Sequence, residues 1–556
     1  MIPTFVQCRP IECLSDIRDC LSKPPEWVNR VVPLKERSKY VCKNIPNDCH
    51  QEKHEFQVKA RIDSRTAPKT MICHDYKGGY LADSYVPFEG SENKTFATNG
   101  YPFYNWAHID YFVYFSHYFI TIPPLAWLNA AHQNGVKILG TLITENKEGE
   151  DICNEKLFKY KEQMLEFVYQ LTEIQRIFGF DGWLLNIENK VDNPEILRQF
   201  VETLTEKTHL QDSESVVIWY DSVTKEGLLQ WQNELNEKNK NFFDSCDGIY
   251  LNYSWTERQL ENTLAAAESR VSDVFVGVDV FGRNMFGGGQ LDSHKAAEVI
   301  RKYKLSMALF APGWTHETLE KNANMPEFVQ FLNKDDSLWI NLWSYLYTHP
   351  INHFFQTNFH VGLDFNYYNL YMQKLQLSRI LYPEQTGELS TKLCNCLRRS
   401  FVQSKNSCLI STEQLPDEHE DFHRLFSCDL KLSGSIVVYL LYKTFLDSSL
   451  DLVLFTCLNS GANRQIRLLS REKPYPMNNA TLLEVNPLND KEIAYNQTLN
   501  NIAKRFVTLT RVSGNDELSF SMFQFTPTPS VLLEIVASVR NGRRIHLLEF
   551  GILPLN

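Results

Sequence analysis

The 556-residue chain carries a formal net charge of -11, and 43% of its residues are apolar and 13% aromatic. That length supplies roughly two to four domains and a large core, and the apolar content excludes a disordered chain. Both charge signs are dispersed and no basic tract occurs, which excludes a polyanion binder, so no nucleic-acid partner is expected.

The first ten residues hold no basic stretch followed by an apolar run, so a secretory signal is not expected. No window reaches the about eighteen apolar residues of a membrane span. The thirteen cysteines lie mostly far apart, and Cys394 and Cys396 are too close for zinc-type spacing. They read as reduced thiols, which sets a cytosolic location as the expectation. In that compartment the sequons at Asn93, Asn252, Asn479 and Asn496 have no meaning. The aromatic residues serve either as core packing or as sugar-stacking platforms.

Residues 1–66 are polar and mixed, with one short helix expected near 11–21. Strands follow at 71–75 and 109–115. Pro123 and Pro124 then open a helix, where missing N–H groups cost nothing, and Gly135 fits its stop. The third strand spans 136–144. A long amphipathic helix is predicted over 155–178, with Leu157, Tyr160, Met164, Phe167, Val168, Leu171, Ile174 and Ile177 at three- and four-residue spacing. The fourth strand is Phe-Asp-Gly-Trp-Leu-Leu-Asn-Ile-Glu-Asn (180–189). Strand alternation puts Leu184, Asn186 and Glu188 on one face and Trp183, Leu185 and Ile187 on the other. Asn193 and Pro194 open the next helix. Further strands fall at 216–222, 247–253, 274–280 and 306–312, with helices near 257–269 and 292–303.

Eight short apolar strands, each followed by a helical or connecting segment, predict a (β/α)8 TIM barrel over 67–350. A doubly wound sheet is the alternative, disfavoured because no Gly-x-Gly-x-x-Gly follows a strand. After a connecting segment at 351–389, strands at 435–442, 451–455, 481–485, 505–510, 519–525, 531–536 and 544–550 predict an all-β sandwich over 390–556. In a barrel the chemistry sits at the C-terminal strand ends. Those ends carry His74 and Asp75, His117, Glu145, Asn186 and Glu188, Tyr220 and Asp221, Asn252 and Tyr253, Asp279, and Trp314. His74, His117 and Asp279 read equally as structural groups holding loops. Trp127, Trp231 and Trp314 are substrate contacts or core. His74 and Asp75 lack a third ligand at matching spacing, so no metal is expected.

Glycosidases usually set two carboxylates across the scissile bond. Here Glu188 is accompanied two residues earlier by an amide. A 2-acetamido sugar removes the conflict, because its own amide oxygen can act as nucleophile. Glu188 then protonates the leaving oxygen if burial raises its pKa. Asn186 holds the acetamide, and Tyr220 bonds the same group. Laid on the substrate-assisted chitinase pattern Asp-Gly-x-Asp-x-Asp-x-Glu, the chain keeps Asp181, Gly182 and Glu188. It replaces the second Asp by Leu184 and the third by Asn186.

The 180–189 stretch resembles the signature of glycoside hydrolase family 85, the endo-β-N-acetylglucosaminidases. Further blocks agree in order: Cys-His-Asp-Tyr-Lys-Gly-Gly-Tyr (73–80), Phe-Val-Tyr-Phe-Ser-His (112–117), Thr-Ile-Pro-Pro (121–124) and Asn-Ala-Ala-His (129–132). After them come Trp-Tyr-Asp-Ser-Val (219–223), Phe-Phe-Asp-Ser-Cys-Asp-Gly (242–248), Val-Gly-Val-Asp-Val-Phe (276–281) and Leu-Phe-Ala-Pro-Gly-Trp (309–314). The resemblance covers about 69–360; the sandwich resembles that of the cytosolic animal members more loosely. It implies cleavage of the β-1,4 bond within the di-N-acetylchitobiose core of N-glycans, leaving one GlcNAc on the protein. It further implies retention through an oxazoline and some transglycosylation. It carries Glu188 over as acid/base, Asn186 as acetamide-orienting residue and Tyr220 as its helper, with Trp231 and Trp255 lining the substrate. Asn146 departs from the family, where a Trp is expected. The expectation is a cytosolic monomeric enzyme without cofactor, its partner an N-glycan or glycoprotein. A chitinase-like hydrolase and an inactive glycan-binding lectin are the alternatives.

Overall fold

The computed structural model describes residues 5–45, 50–52, 56–87, 102–320, 325, 327–359, 397–402, 405–411, 420–444, 449–512, 518–540 and 544–555. Asn93, Cys394, Cys396 and residues 360–389 of the expected connecting segment lie outside them. The chain divides into two compact units. One holds residues up to Glu36 and Arg65–Tyr347; the other holds Arg37–Ser64 and the described residues from Thr348 on. The leading 66 residues are thus shared between the units. The helix expected near 11–21 is present at Leu14–Ser22.

In the first unit, eight parallel strands run in chain order around a barrel. They are β1 (Thr70–Asp75), β2 (Tyr111–Phe115), β3 (Lys137–Glu145), β4 (Gly182–Glu188), β5 (Val216–Tyr220), β6 (Gly248–Leu251), β7 (Val274–Asp279) and β8 (Ser306–Phe310). β8 pairs back onto β1, which closes the barrel and excludes the open doubly wound sheet. Helices α1 (Leu125–Gln133), α2 (Lys161–Phe178), α3 (Pro194–Gln211), α4 (Glu257–Ala267) and α5 (Ser293–Lys302) follow β2, β3, β4, β6 and β7.

The pleat sorts side chains into two layers. Met71, Cys73, Val113, Phe115, Leu139, Ile143, Leu184, Ile218, Tyr250 and Phe275 fill the interior. Trp183, Leu185, Ile187, Val217 and Trp219 face outward into the larger cluster shared with the helices. Gly182 opens β4 because no side chain fits there: a Cβ would lie 1.9 Å from the Val216 carbonyl of β5. Asp181, just before it, accepts hydrogen bonds from Ile138 N at 2.7 Å and from His132 Nε2 at 3.0 Å. The entry of β4 is thereby tied to β3 and α1.

The second unit packs two sheets face to face. One runs in the order β9 (Leu397–Val402), β10 (Lys405–Ser411), β18 (Arg544–Leu555), β12 (Ser435–Thr444), β16 (Leu518–Phe525). The other runs β15 (Leu482–Val485), β14 (Asn463–Leu468), β13 (Ser449–Leu458), β17 (Ser530–Arg540), β11 (Glu420–Leu432), with His50–Glu52 at its edge. Leu425, Leu440, Leu454, Ile535 and Phe550 meet in the core between them.

The strand expected at 505–510 is instead part of a helix, α7 (Gln497–Val512). Val507, Thr508 and Thr510 carry strand propensity. Leu499, Ile502, Ala503 and Phe506, however, recur at helical spacing and pack on Val437, Tyr439 and Met522. Burial of that stripe overrides local propensity.

Candidate active site

Asn186 and Glu188 stand on the inner face of β4, above Leu184. The register of β3 places Glu145 directly beside Glu188. Burial first, then the neighbouring Glu145 carboxylate, push Glu188 up to about 7. The Trp231 indole and His117 lie beside Glu188; both favour the carboxylate and oppose that rise. His117 Nδ1 is 3.1 Å from Glu145 Oε2, and this hydrogen bond raises the histidine's pKa against its partial burial. Asn186 is only 5% exposed, and its Oδ1 is buried without a hydrogen-bond partner in the protein. A buried acceptor left open beside an acid is suited to an N–H supplied from outside the chain.

Tyr220, at the end of β5, donates its phenol to Asn252 Oδ1 at 3.1 Å. Asn252 in turn donates to Asn233 Oδ1 at 2.9 Å. Trp231 and Asn233 both belong to the segment after β5. Gly227 pins its start, since a Cβ there would lie 2.0 Å from the Val191 carbonyl at φ +80. Trp231 itself is 43% exposed.

Glu188, Asn186, Tyr220, Asn252, Trp231 and His117 are therefore brought together by bonds or neighbouring charges at the β2, β4, β5 and β6 ends. Four other expected residues are committed elsewhere. Trp127 is 2% exposed, donates to Asp83 Oδ2 at 2.8 Å and stacks on Phe112, in the layer outside the strands. Trp255 is 3% exposed, donates to the Gly277 carbonyl at 2.8 Å and stacks on Phe286. Trp314 is buried with the Lys334 ammonium 4.0 Å from its ring centroid. Asp279 is fully buried and clamped by Arg283, through Nε at 2.8 Å and Nη2 at 3.1 Å. It fastens the loop after β7. The sequence leaves Trp127 and Trp314 as substrate contact or core, Asp279 as contact or loop-holding group, and Trp255 as substrate-lining by resemblance; in the structure all four are buried and engaged within the protein.

His74 is buried among Trp127, Phe112 and Tyr114, and burial pushes it down to about 3, so it is neutral. Among the described residues, no cluster of three or more His, Cys, Asp or Glu has metal-holding geometry.

The sequence places Glu145 and Asp221 only among the strand-end residues, with no role assigned, and does not single out Asn233. Glu145 and Asp221 carried one usable signal, a carboxylate at a barrel strand end. Asn233 carried none, because its place depends on how the loop folds back.

A family model described as glycosyl hydrolase family 85 matches residues 85–366. The cytosolic endo-beta-N-acetylglucosaminidase of Gallus gallus is 43% identical over 343 residues, covering 59% of this chain and 45% of that protein. The Homo sapiens protein of the same name is 45% identical over 303 residues, covering 54% of this chain and 39% of its own length. The match thus spans less than half the length of these relatives. The crystal structure of the glycoside hydrolase domain of Endo-D from Streptococcus pneumoniae R6 superposes with a TM-score of 0.64 at 15% identity, covering 98% of this chain and 83% of that one. At that identity the likeness shows the fold.

Proposed function

From the premise that the chain belongs to glycosyl hydrolase family 85, we propose that it is an endo-β-N-acetylglucosaminidase acting on the di-N-acetylchitobiose core of N-glycans. The observation that carries the proposal is the pairing on one strand face of a carboxyl held near neutrality with a buried amide oxygen that has no partner in the protein. Glu188, which keeps its proton in part of the molecules at neutral pH, gives that proton to the glycosidic oxygen as the C1–O bond breaks. The substrate's own acetamide oxygen bonds to C1, so no second nucleophilic carboxylate is needed. Asn186 Oδ1 accepts from the acetamide N–H and orients that attack. Tyr220, held by Asn252, turns its phenol oxygen toward the same group. Glu188, now a carboxylate, takes a proton from the water that opens the oxazolinium ion at C1, and configuration is retained. One GlcNAc stays on the protein or peptide.

The location proposed is the cytosol, as in the names of the relatives. Free thiols at Cys13, Cys20, Cys73, Cys153, Cys246, Cys428 and Cys457 agree with a reducing compartment. No helix among the described residues is long and apolar enough to cross a membrane.

Incubating the protein with a high-mannose glycopeptide and weighing the products tests the proposal. The expected products are a peptide retaining a single GlcNAc and a glycan ending in the other. Cleavage of chitin oligomers with intact glycopeptide would favour a chitinase-like hydrolase. Binding of glycopeptide without release would favour a lectin.

A further inference from the structure

The segment between β5 and β6 brings two groups to the site, yet residues 223–239 form turns and one isolated bridge, Val223 with Leu229, and no helix. Trp231 stands 43% exposed, so packing does not fix it. What holds the segment is the residue immediately after β5. Asp221 is 1% exposed. Its carboxylate accepts from Gln232 N at 3.1 Å, from Asn233 N at 2.7 Å and from Asn239 Nδ2 at 2.9 Å. A buried carboxylate satisfied by several N–H groups makes charge-assisted bonds, the strong kind.

Two branches leave this anchor. Gln232 and Asn233 directly follow Trp231, so gripping their N–H groups sets where the indole lies beside Glu188, whose carboxylate it favours. Asn233 takes the left-handed conformation, with φ 57, and its Oδ1 accepts from Asn252 Nδ2. Asn252 accepts from the Tyr220 hydroxyl.

We propose that Asp221 is a positioning residue that sets both halves of the site at once, Trp231 against Glu188 and Asn252 against Tyr220. The proposal rests on Glu188 being the proton donor. Its ligand-free content is that one buried carboxylate sets where the Trp231 indole lies beside Glu188.

The test reads Glu188 directly, by its side-chain carboxyl carbon-13 signal in labelled protein, assigned by its loss in Glu188→Gln. Glu188 is faced by Glu145 from β3, His117 after β2, Trp231 after β5, Tyr220 at the end of β5 and Tyr253 after β6. Trp231→Phe removes an indole N–H that favours the carboxylate, so its titration midpoint rises. Asp221→Asn is expected to raise the midpoint in the same direction, and the double variant is expected to add nothing. On glycopeptide, Asp221→Asn should lose kcat/KM roughly ten- to hundredfold, the scale of small misplacements of catalytic groups. Asn239→Ala removes one donor and serves where Asp221→Asn does not fold; it is expected to move the midpoint the same way by less. A Glu188 midpoint unmoved in both the 221 and 239 variants, or shifts that add in the double variant, would overturn the proposal. A wild-type protein that leaves glycopeptide intact would instead overturn the substrate assignment, and the titration would still decide the role of Asp221.

Discussion

Glu188 holds its proton near neutrality because burial and the adjacent Glu145 both disfavour the charged form. If the protonated form is the active one, kcat/KM falls above a midpoint near 7, as the acid is lost. Replacing Glu145 by Gln removes a negative neighbour, which lowers the pKa of Glu188 and moves that alkaline limb to lower pH. A pH–rate profile of the variant on a fluorescent glycopeptide checks the sign; an unmoved limb would separate Glu145 from the acid. Glu188→Gln is expected to lower hydrolysis by about 10²–10⁴-fold, the usual worth of a general acid. Asn186→Ala should lose hydrolysis of the natural glycan while still using a synthetic oxazoline, whose formation is already complete. Glycan release and transfer measured side by side distinguish the two steps, and a variant that hydrolyses normally removes Asn186 from the mechanism. Glu188 and Asn186 were legible from their spacing on one strand face. Glu145 was not, because only the β3–β4 register sets it beside Glu188.

At the scale of elements, the motif around β4 divides its labour. Gly182 and Asp181 build the strand's entry, and Asn186 and Glu188 occupy its exit. His132 lies between two acceptors, Val32 O at 2.6 Å from Nδ1 and Asp181 Oδ2 at 3.0 Å from Nε2. Only the imidazolium donates to both. Burial opposes its charge, but the Asp181 and Val32 bonds outweigh burial and raise the pKa. A raised folded pKa contributes stability below the unfolded value, lost as pH rises through the folded value. Chemical denaturation of wild type should therefore show stability declining upward from about pH 6.5, the unperturbed histidine value. His132→Gln should flatten that decline. Asp181→Asn leaves an unpaired buried cation and is expected to cost roughly 3–5 kcal/mol. Equal slopes in wild type and His132→Gln would assign the charge elsewhere. The α7 helix shows the opposite case: its β-branched residues pointed to a strand, and the sheet face beneath it decided otherwise.

At the scale of the molecule, Arg37–Ser64 belongs to the same unit as the sandwich sheets. Arg61 pairs with Asp429 at 2.6 Å, Lys59 N donates to Glu534, and Phe56 stacks on Phe455 at 4.7 Å between centroids. Glu534 also pairs with Arg424 at 2.9 Å, both almost wholly buried. Removing 390–556 therefore strips Phe56 and Arg61 of their partners in one cut. Such a truncated chain is expected to aggregate, as read by size-exclusion chromatography. A soluble monodisperse product would show that 37–64 does not depend on the sheets.

The order of the eight barrel strands, the inward face of β4 and the acid–amide pair on it were determined by sequence alone. Each follows from periodicity two along a strand and from chain order, both local properties. The tertiary structure alone decided which aromatic and acidic residues reach the site. Trp127, Trp231, Trp255 and Trp314 are chemically alike in the sequence, yet of the four only Trp231 is both exposed and set beside Glu188. That difference is made by which side chains the closed barrel buries and which N–H groups find an acceptor first. Both are set by contacts distant in the chain. The single strand face on which Asn186 and Glu188 stand needs no such contacts, and for that reason it could be read first.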